Sequence, residues 1–155
     1  MVSIWFFINA FVLIFALWKV LSSYLGVHIV FGALGLLFVL YNWTRHAVFS
    51  TIRSNISRRR KIKFANLSKF VLPFHKWTGS TALILIIIHG TLVFQRFSFE
   101  WSNWKIISGL VAGSILVAVV GFGWLRWYRT TVNRRYIHLI LGYCLFVLIV
   151  VHLVF

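Results

Sequence analysis

The chain has 155 residues, of which 61% are hydrophobic, 19% aromatic and only 11% charged. Soluble globular domains carry about a quarter of charged residues, so this composition excludes an ordinary soluble protein and predicts an integral membrane protein. Sixteen Lys and Arg stand against one acidic residue, Glu100, which gives a formal net charge of +15. With a single acid, the chain has no catalytic carboxylate pair. It also has no Asp or Glu to orient a Ser-His or Cys-His catalytic unit.

Five apolar stretches approach the roughly 20 residues that a membrane-spanning helix needs. We therefore expect an all-α membrane protein, with a single transmembrane domain over residues 1–155 built as a bundle of about five helices. The expected spans are about residues 2–19, 26–44, 70–95, 104–125 and 136–155. The amino terminus lacks a basic segment and a small-residue cleavage site, so we expect the first span to be retained.

The basic residues concentrate in two connections between the spans, residues 45–69 and 126–135. Nine of the sixteen Lys and Arg lie within residues 45–76 and four within 126–135. This positive-inside bias predicts that both connections are cytoplasmic loops, with the amino terminus inside and the carboxyl terminus outside. It accounts for the net charge without nucleic acid. We expect a multi-pass protein of a bacterial plasma membrane, whose long basic loop faces membrane lipid or an acidic partner protein.

Two of the spans repeat one histidine pattern, H-x3-G-x9-H. On an α-helix, fourteen residues bring the two histidines to nearly the same side, about 21 Å apart at 1.5 Å per residue. One histidine of each span can therefore face one of the other span at each of two depths. The residues that carry the pattern are His75, Gly79 and His89 in the third span, and His138, Gly142 and His152 in the fifth.

Facing imidazoles at two depths predict two haem irons, each with two axial histidines. His75 and His138 would ligate the haem near the inner surface, and His89 and His152 the haem near the outer surface, so that the bundle encloses two stacked b-type haems. The glycine that follows each first histidine removes a side chain that would collide with a porphyrin. A zinc site fits less well, because two histidines at one depth fill half of a tetrahedral set. A lone histidine in a membrane span more often packs or hydrogen-bonds, so the haem interpretation depends on the repeat.

Four further residues lie at depths that suit the predicted sites. Haem propionates need cationic or hydrogen-bonding partners, and Arg96 near the outer site and Arg126 near the inner site are the candidates. Snorkelling or topology signalling explains these arginines equally well. His28 and His46 bracket the second span, and we expect them to be interfacial residues and not axial ligands.

The H-x13-H pairs, on two helices separated by one intervening helix, resemble the haem-binding transmembrane domain of the ferric reductase and NADPH oxidase superfamily. That superfamily includes the membrane subunit of the bacterial methionine-sulfoxide reductase system. The resemblance covers residues 70–155 well and residues 1–69 only by hydropathy. It implies a ferric reductase-like oxidoreductase that passes electrons through two haems b from a cytoplasmic-side donor to an outer-side acceptor.

The fused members of the superfamily continue into a flavin and nicotinamide domain, whereas this sequence ends three residues after His152. The expected donor is therefore separate, a cytoplasmic flavoprotein reductase or a quinol. Two alternatives stay open. A haem-bearing membrane anchor of a quinone-linked oxidoreductase complex would show reduction by quinol and copurifying subunits. A haem-free structural or transport protein would purify colourless and tolerate His75→Ala.

Overall fold

The computed structural model describes residues 3–23, 26–97, 100–129 and 131–155, except for the side chains of residues 70–72. The predicted start of the first span, residue 2, lies outside these ranges. The described residues form six α-helices and one 3-10 turn. In chain order they are α1 (Ile4–Ser22), α2 (Val27–Arg53), α3 (Arg58–Val71), the 3-10 turn (Leu72–Phe74), α4 (His75–Arg96), α5 (Trp104–Tyr128) and α6 (Val132–Val154).

Five of these helices, α1, α2, α4, α5 and α6, are long and apolar enough to cross a membrane. The expected all-α, multi-pass character is thereby confirmed. Many large apolar side chains lie on the outside of the molecule, among them Phe11, which is 70% exposed, and Leu21, which is 78% exposed. Such surfaces suit contact with lipid tails, which are as apolar as the side chains themselves.

The first basic connection, expected to be a loop over residues 45–69, is largely helical. Helix α2 continues to Arg53 instead of ending near residue 44, and α3 occupies most of the remainder. Arg and Lys are good helix formers, so a polar continuation of a membrane helix costs little. Pro73 then lies in the 3-10 turn, because proline lacks a backbone N–H and fits poorly inside a helix. Helix α4 consequently begins at His75 and not at residue 70.

Short polar side chains fix where three of the membrane helices begin. Ser3 precedes α1, Asn103 precedes α5 and Thr131 precedes α6, and each side-chain oxygen accepts a hydrogen bond from an amide in the first turn. This N-capping satisfies donors that have no partner within the helix. Arg134 closes the α5–α6 connection, since its Nη1 donates to the carbonyl oxygen of Arg129 at 2.9 Å.

Contacts between Cα atoms divide the chain into two compact units. The first comprises the described residues of 1–25 and 33–82. Within it, the Nδ2 of Asn9 on α1 donates to the carbonyl oxygen of Leu40 on α2 at 3.1 Å, in a buried position. An interhelical hydrogen bond of this kind stabilises a membrane bundle by about 0.6 kcal/mol on average. The amide of Ser3 adds a second bond between the same helices.

The second unit comprises the described residues of 26–32 and 83–155. Here α5 packs along α6. Leu116 of α5, together with Leu145 and Phe146 of α6, is buried. These side chains lie in the middle of the helices, and Ile106 extends the buried region toward the start of α5.

Candidate functional site

The six histidines are distributed over three helices, and all six are half-buried. The four predicted ligands lie within helices in the expected order along the chain. His89 and His152 both belong to the second unit, whereas His75 belongs to the first unit and His138 to the second. The full set is His28 and His46 on α2, His75 and His89 on α4, and His138 and His152 on α6.

The structure brings His89 and His152 together. Their ring centres lie 6.5 Å apart and their planes are inclined by 78°. Two imidazoles on opposite sides of one metal ion need roughly 6 Å between ring centres, because each metal–nitrogen bond is about 2 Å and each nitrogen lies about 1 Å from its ring centre. The spacing of this pair therefore suits two axial ligands of one iron.

The ring of His89 is oriented by α2. Its Nδ1–H donates to the carbonyl oxygen of His28 at 2.7 Å. A helical carbonyl keeps a second lone pair beyond the one used within its own helix, and this lone pair is available to an outside donor. Gly32 gives the ring access, since a Cβ at this position would lie 2.9 Å from Nδ1 of His89. The bond places the proton on Nδ1 and leaves the lone pair on Nε2.

The ring of His152 is oriented by α5 in a similar way. Ser108 donates its hydroxyl hydrogen to the carbonyl oxygen of Lys105 at 3.1 Å, so its oxygen accepts from Nδ1 of His152 at 3.2 Å. A Cβ at the neighbouring Gly109 would lie 2.9 Å from Cε1 of the same ring. Here too the lone pair is on Nε2.

His138 repeats the arrangement seen around His89. Its Nδ1–H donates to the carbonyl oxygen of Val119 on α5 at 3.0 Å. Gly123 follows four residues later, and a Cβ there would lie 3.4 Å from Cε1 of the ring. In both cases a helical carbonyl and the glycine four residues after it form the surface against which the imidazole lies.

His75 is held by a side chain instead of a carbonyl. Its Nδ1–H donates to Oδ1 of Asn42 on α2 at 3.1 Å, and the same oxygen accepts from Thr78 at 2.6 Å. A Cβ at Gly79 would lie 3.6 Å from Nδ2 of Asn42, an ordinary contact, so no protein atom requires a glycine there. That Gly79 clears space for a porphyrin stays a prediction, as does the same role for Gly142, which is half-buried on α6.

These orienting partners were not predicted from the sequence, although part of the pattern is visible in it. Gly32 and Gly123 are glycines within membrane helices that carry no ligand, and each lies four residues after the carbonyl that binds a histidine. Gly109 and Gly113 lie four residues apart on α5, a spacing of small residues that allows close helix packing in membranes. A Cβ at Gly113 would meet nothing within 4 Å, so only Gly109 is in close contact with a histidine ring.

His28 lies closer to the outer pair than expected. Its ring centre is 6.5 Å from that of His89, with the two planes inclined by 24°. Arg96, the predicted propionate partner, is the exposed last residue of α4 and borders a pocket of about 240 Å³ together with His28. Arg96 is thus beside His28, whose ring neighbours that of His89. Arg126 lies in the last turn of α5, and its propionate role stays a prediction.

His46 lies in the first unit, against two tryptophans. Its ring centre is 5.2 Å from that of Trp5 and 5.2 Å from that of Trp43. The tryptophans contact each other edge to face at 5.6 Å. Such aromatic clusters bury large side chains in favourable geometry, so packing accounts for the position of His46.

Within the described ranges, no group of three or more His, Cys, Asp and Glu side chains is placed to hold a metal ion. A pair of axial histidines is a different kind of site, since it needs only two protein ligands. No family model, no curated protein and no solved structure matches the chain. The resemblance to the ferric reductase superfamily therefore stays a prediction that depends on the histidine pattern.

Proposed function

We propose that the chain is a membrane cytochrome b that transfers single electrons across the bilayer, in the manner of a ferric reductase. His75 and His138 would hold an inner haem b, and His89 and His152 an outer one. A cytoplasmic flavoprotein reductase or a quinol would donate the electrons, and an acceptor on the outer side would take them.

The observation that carries this proposal is the shared hydrogen bonding of the four histidines. Each donates its Nδ1–H to an uncharged oxygen on a neighbouring helix, at distances from 2.7 to 3.2 Å. Metal-ligating histidines almost always donate their second ring N–H in this way, because the bond fixes both the tautomer and the ring orientation. One tautomer at all four predicted ligands is what iron ligation through Nε2 requires.

The spacing of His89 and His152 is compatible with the proposal. Their ring centres lie 6.5 Å apart, close to the roughly 6 Å that two axial ligands need. His28 lies equally far from His89, so the distance alone does not select the pair. Gly32 and Gly109 leave the space in which the two rings adopt these positions.

A bound haem would supply the one-electron chemistry, and the residues of the chain would set its conditions. Two histidines would hold each haem and leave no ligand position open, so an acceptor such as a ferric chelate, dioxygen or a partner protein would receive electrons without binding to the iron. The apolar helices exclude water and keep the local dielectric constant low. Arg96, beside His28, would provide a positive charge for a propionate of the outer haem.

The proposal is tested by a reduced-minus-oxidised visible spectrum of the detergent-purified full chain, with pyridine haemochrome quantitation. We expect about two haems b per chain with low-spin bands, and the loss of about one haem in His89→Ala. His28→Ala is the matched control, because His28 orients His89 through its backbone carbonyl, which the substitution keeps.

Three outcomes would contradict the proposal. A protein that stays colourless when haem is added would be a structural or transport protein. Equal haem content in His89→Ala and the parent protein would contradict the ligand assignment. Copurification with the other subunits of a quinone-linked complex would identify a membrane anchor of that complex, whereas reduction by quinol without such subunits fits the proposal.

A further inference from the structure

Helix α3 is the most strongly charged element of the structure. Six of its fourteen residues are basic and none is acidic. The electron-transfer proposal gives this helix no role. Its basic residues are Arg58, Arg59, Arg60, Lys61, Lys63 and Lys69.

One face of α3 is less exposed than the other. This stripe contains Ser68, which is buried, and Lys61, Phe64 and Ala65, which are half-buried. The four positions follow the i, i+3, i+4, i+7 spacing of a single helix face. The stripe fixes the rotation of α3 and therefore determines which residues point away from the protein.

The opposite face combines cations with large apolar side chains. Ile62 and Leu67 are each 51% exposed. The exposed basic residues on the same helix are Arg58, Arg59, Arg60, Lys63 and Lys69. A face that contacted only water would have no need of two exposed aliphatic side chains among five cations.

The charge at the start of α3 calls for an external counter-charge. Four consecutive cations, from Arg58 to Lys61, occupy the first turn, where the helix dipole is positive and favours anions. The sequence contains a single acidic residue, Glu100, against sixteen Lys and Arg. The residues of this chain cannot neutralise the helix, so the neutralising anions must come from another molecule.

We propose that α3 is an interfacial helix that binds anionic phospholipid headgroups through its five exposed cations. Ile62 and Leu67 would enter the boundary between headgroups and acyl chains. The helix lies between two membrane-spanning helices, connected to α2 by four residues and to α4 by the 3-10 turn, so it cannot move far from the bilayer surface. Basic amphipathic helices with aliphatic residues beside their cations bind membrane surfaces in this way. The exposed aliphatic side chains favour lipid over an acidic protein.

Site-specific labelling tests the proposal without depending on haem. Cys144 is the only cysteine, so a Cys144→Ala background allows one label at Leu67→Cys and, separately, at Ile62→Cys. Each NBD-labelled protein is placed in nanodiscs of phosphatidylcholine with and without phosphatidylglycerol, and quenching by brominated acyl chains is measured. Asn55→Cys, at an exposed residue between α2 and α3, is the control label.

We expect quenching at residues 67 and 62 to rise with phosphatidylglycerol, while the control label stays in water. Replacing Arg58, Arg59 and Arg60 with Gln should weaken the association of the helix with phosphatidylglycerol by roughly fivefold for each charge removed. Quenching at a fixed phosphatidylglycerol fraction should therefore fall toward the level seen in phosphatidylcholine alone. The absence of quenching at residues 62 and 67 in both lipids would overturn the proposal, because the labels would then lie in water. Equal quenching in both lipids would also overturn it, because the apolar side chains would then insert without recognising anionic headgroups. If the labels are shielded from water only after an acidic protein is added, the exposed face of α3 binds that protein and not lipid.

Discussion

The close approach of His152 to α5 predicts the effect of adding one methyl group. Gly109→Ala places a Cβ 2.9 Å from Cε1 of His152. Favourable contacts between carbon atoms lie at about 3.5 to 4.0 Å, so the ring must move by roughly 0.6 to 1 Å. At 3.2 Å, the hydrogen bond from Nδ1 to Ser108 is already long, and a displacement of this size would break it.

The expected cost follows from this displacement. Inserting a methyl group into a well-packed site typically costs about 1 to 3 kcal/mol. If the methyl group destabilises only the haem-bound state, in which His89 and His152 would both be ligands, the affinity for the proposed outer haem falls by about 5-fold to 150-fold. The affinity for the proposed inner haem, which His75 and His138 would hold, should not change.

Gly113→Ala provides the matched control for this experiment. It lies one turn further along α5, and a Cβ there meets nothing within 4 Å. Haem is titrated into the apo-proteins of both variants and the parent, and the affinities and low-spin spectra are compared. Equal affinities for Gly109→Ala and Gly113→Ala would refute the conclusion that Gly109 is needed to position His152.

Three further substitutions separate ligand orientation from helix stability. Ser108→Ala removes the hydroxyl that orients His152, and we expect haem binding, measured by titration, to weaken by roughly 10-fold to 100-fold. Ser114→Ala removes an exposed hydroxyl on the same helix and should bind haem normally. Asn42→Leu removes the acceptor for Nδ1 of His75, so the haem ligated by that residue should weaken within the same range while the other keeps its spectrum. Arg134→Gln removes the bonds to the last carbonyls of α5, and it should lower the free energy of unfolding by about 0.3 to 1 kcal/mol without changing haem content, as measured by denaturant titration in detergent.

The positions of the membrane helices follow from hydropathy, but their ends do not. Helix α5 starts at residue 104, where the fourth apolar stretch was expected to begin, and in the structure Asn103 caps it. Helix α2 extends to Arg53, past the expected end at residue 44, since hydropathy detects where an apolar stretch ends and not where backbone hydrogen bonding ends. Helix α3 was expected to be a loop for the same reason. Its six basic residues lower the hydropathy of the segment, so its weakly amphipathic spacing was not recognised.

The repeated H-x3-G-x9-H pattern could be recognised in the sequence because it depends only on spacing along single helices. The partners of those histidines were not accessible. Nδ1 of His89 binds a carbonyl 61 residues away, and Nδ1 of His152 binds a hydroxyl 44 residues away. Every residue has a carbonyl, so its use as an acceptor leaves no mark in composition or spacing. A glycine four residues later is the only local sign, and glycine is common in membrane helices for other reasons.

The candidate ligands and their hydrogen-bond acceptors lie on different helices. Helices α4 and α6 carry the candidate ligands, while α2 and α5 supply every Nδ1 acceptor and the glycines that give the rings access. All four acceptors are uncharged, as a sequence with one acidic residue would require, so the histidines would stay neutral imidazoles without the added basicity that a carboxylate partner confers. If the histidines served only to pack the bundle, nothing would require the same nitrogen of each to be bonded in the same way. Substitutions that impair haem binding should therefore fall on α2 and α5 as well as on the two helices that carry the ligands.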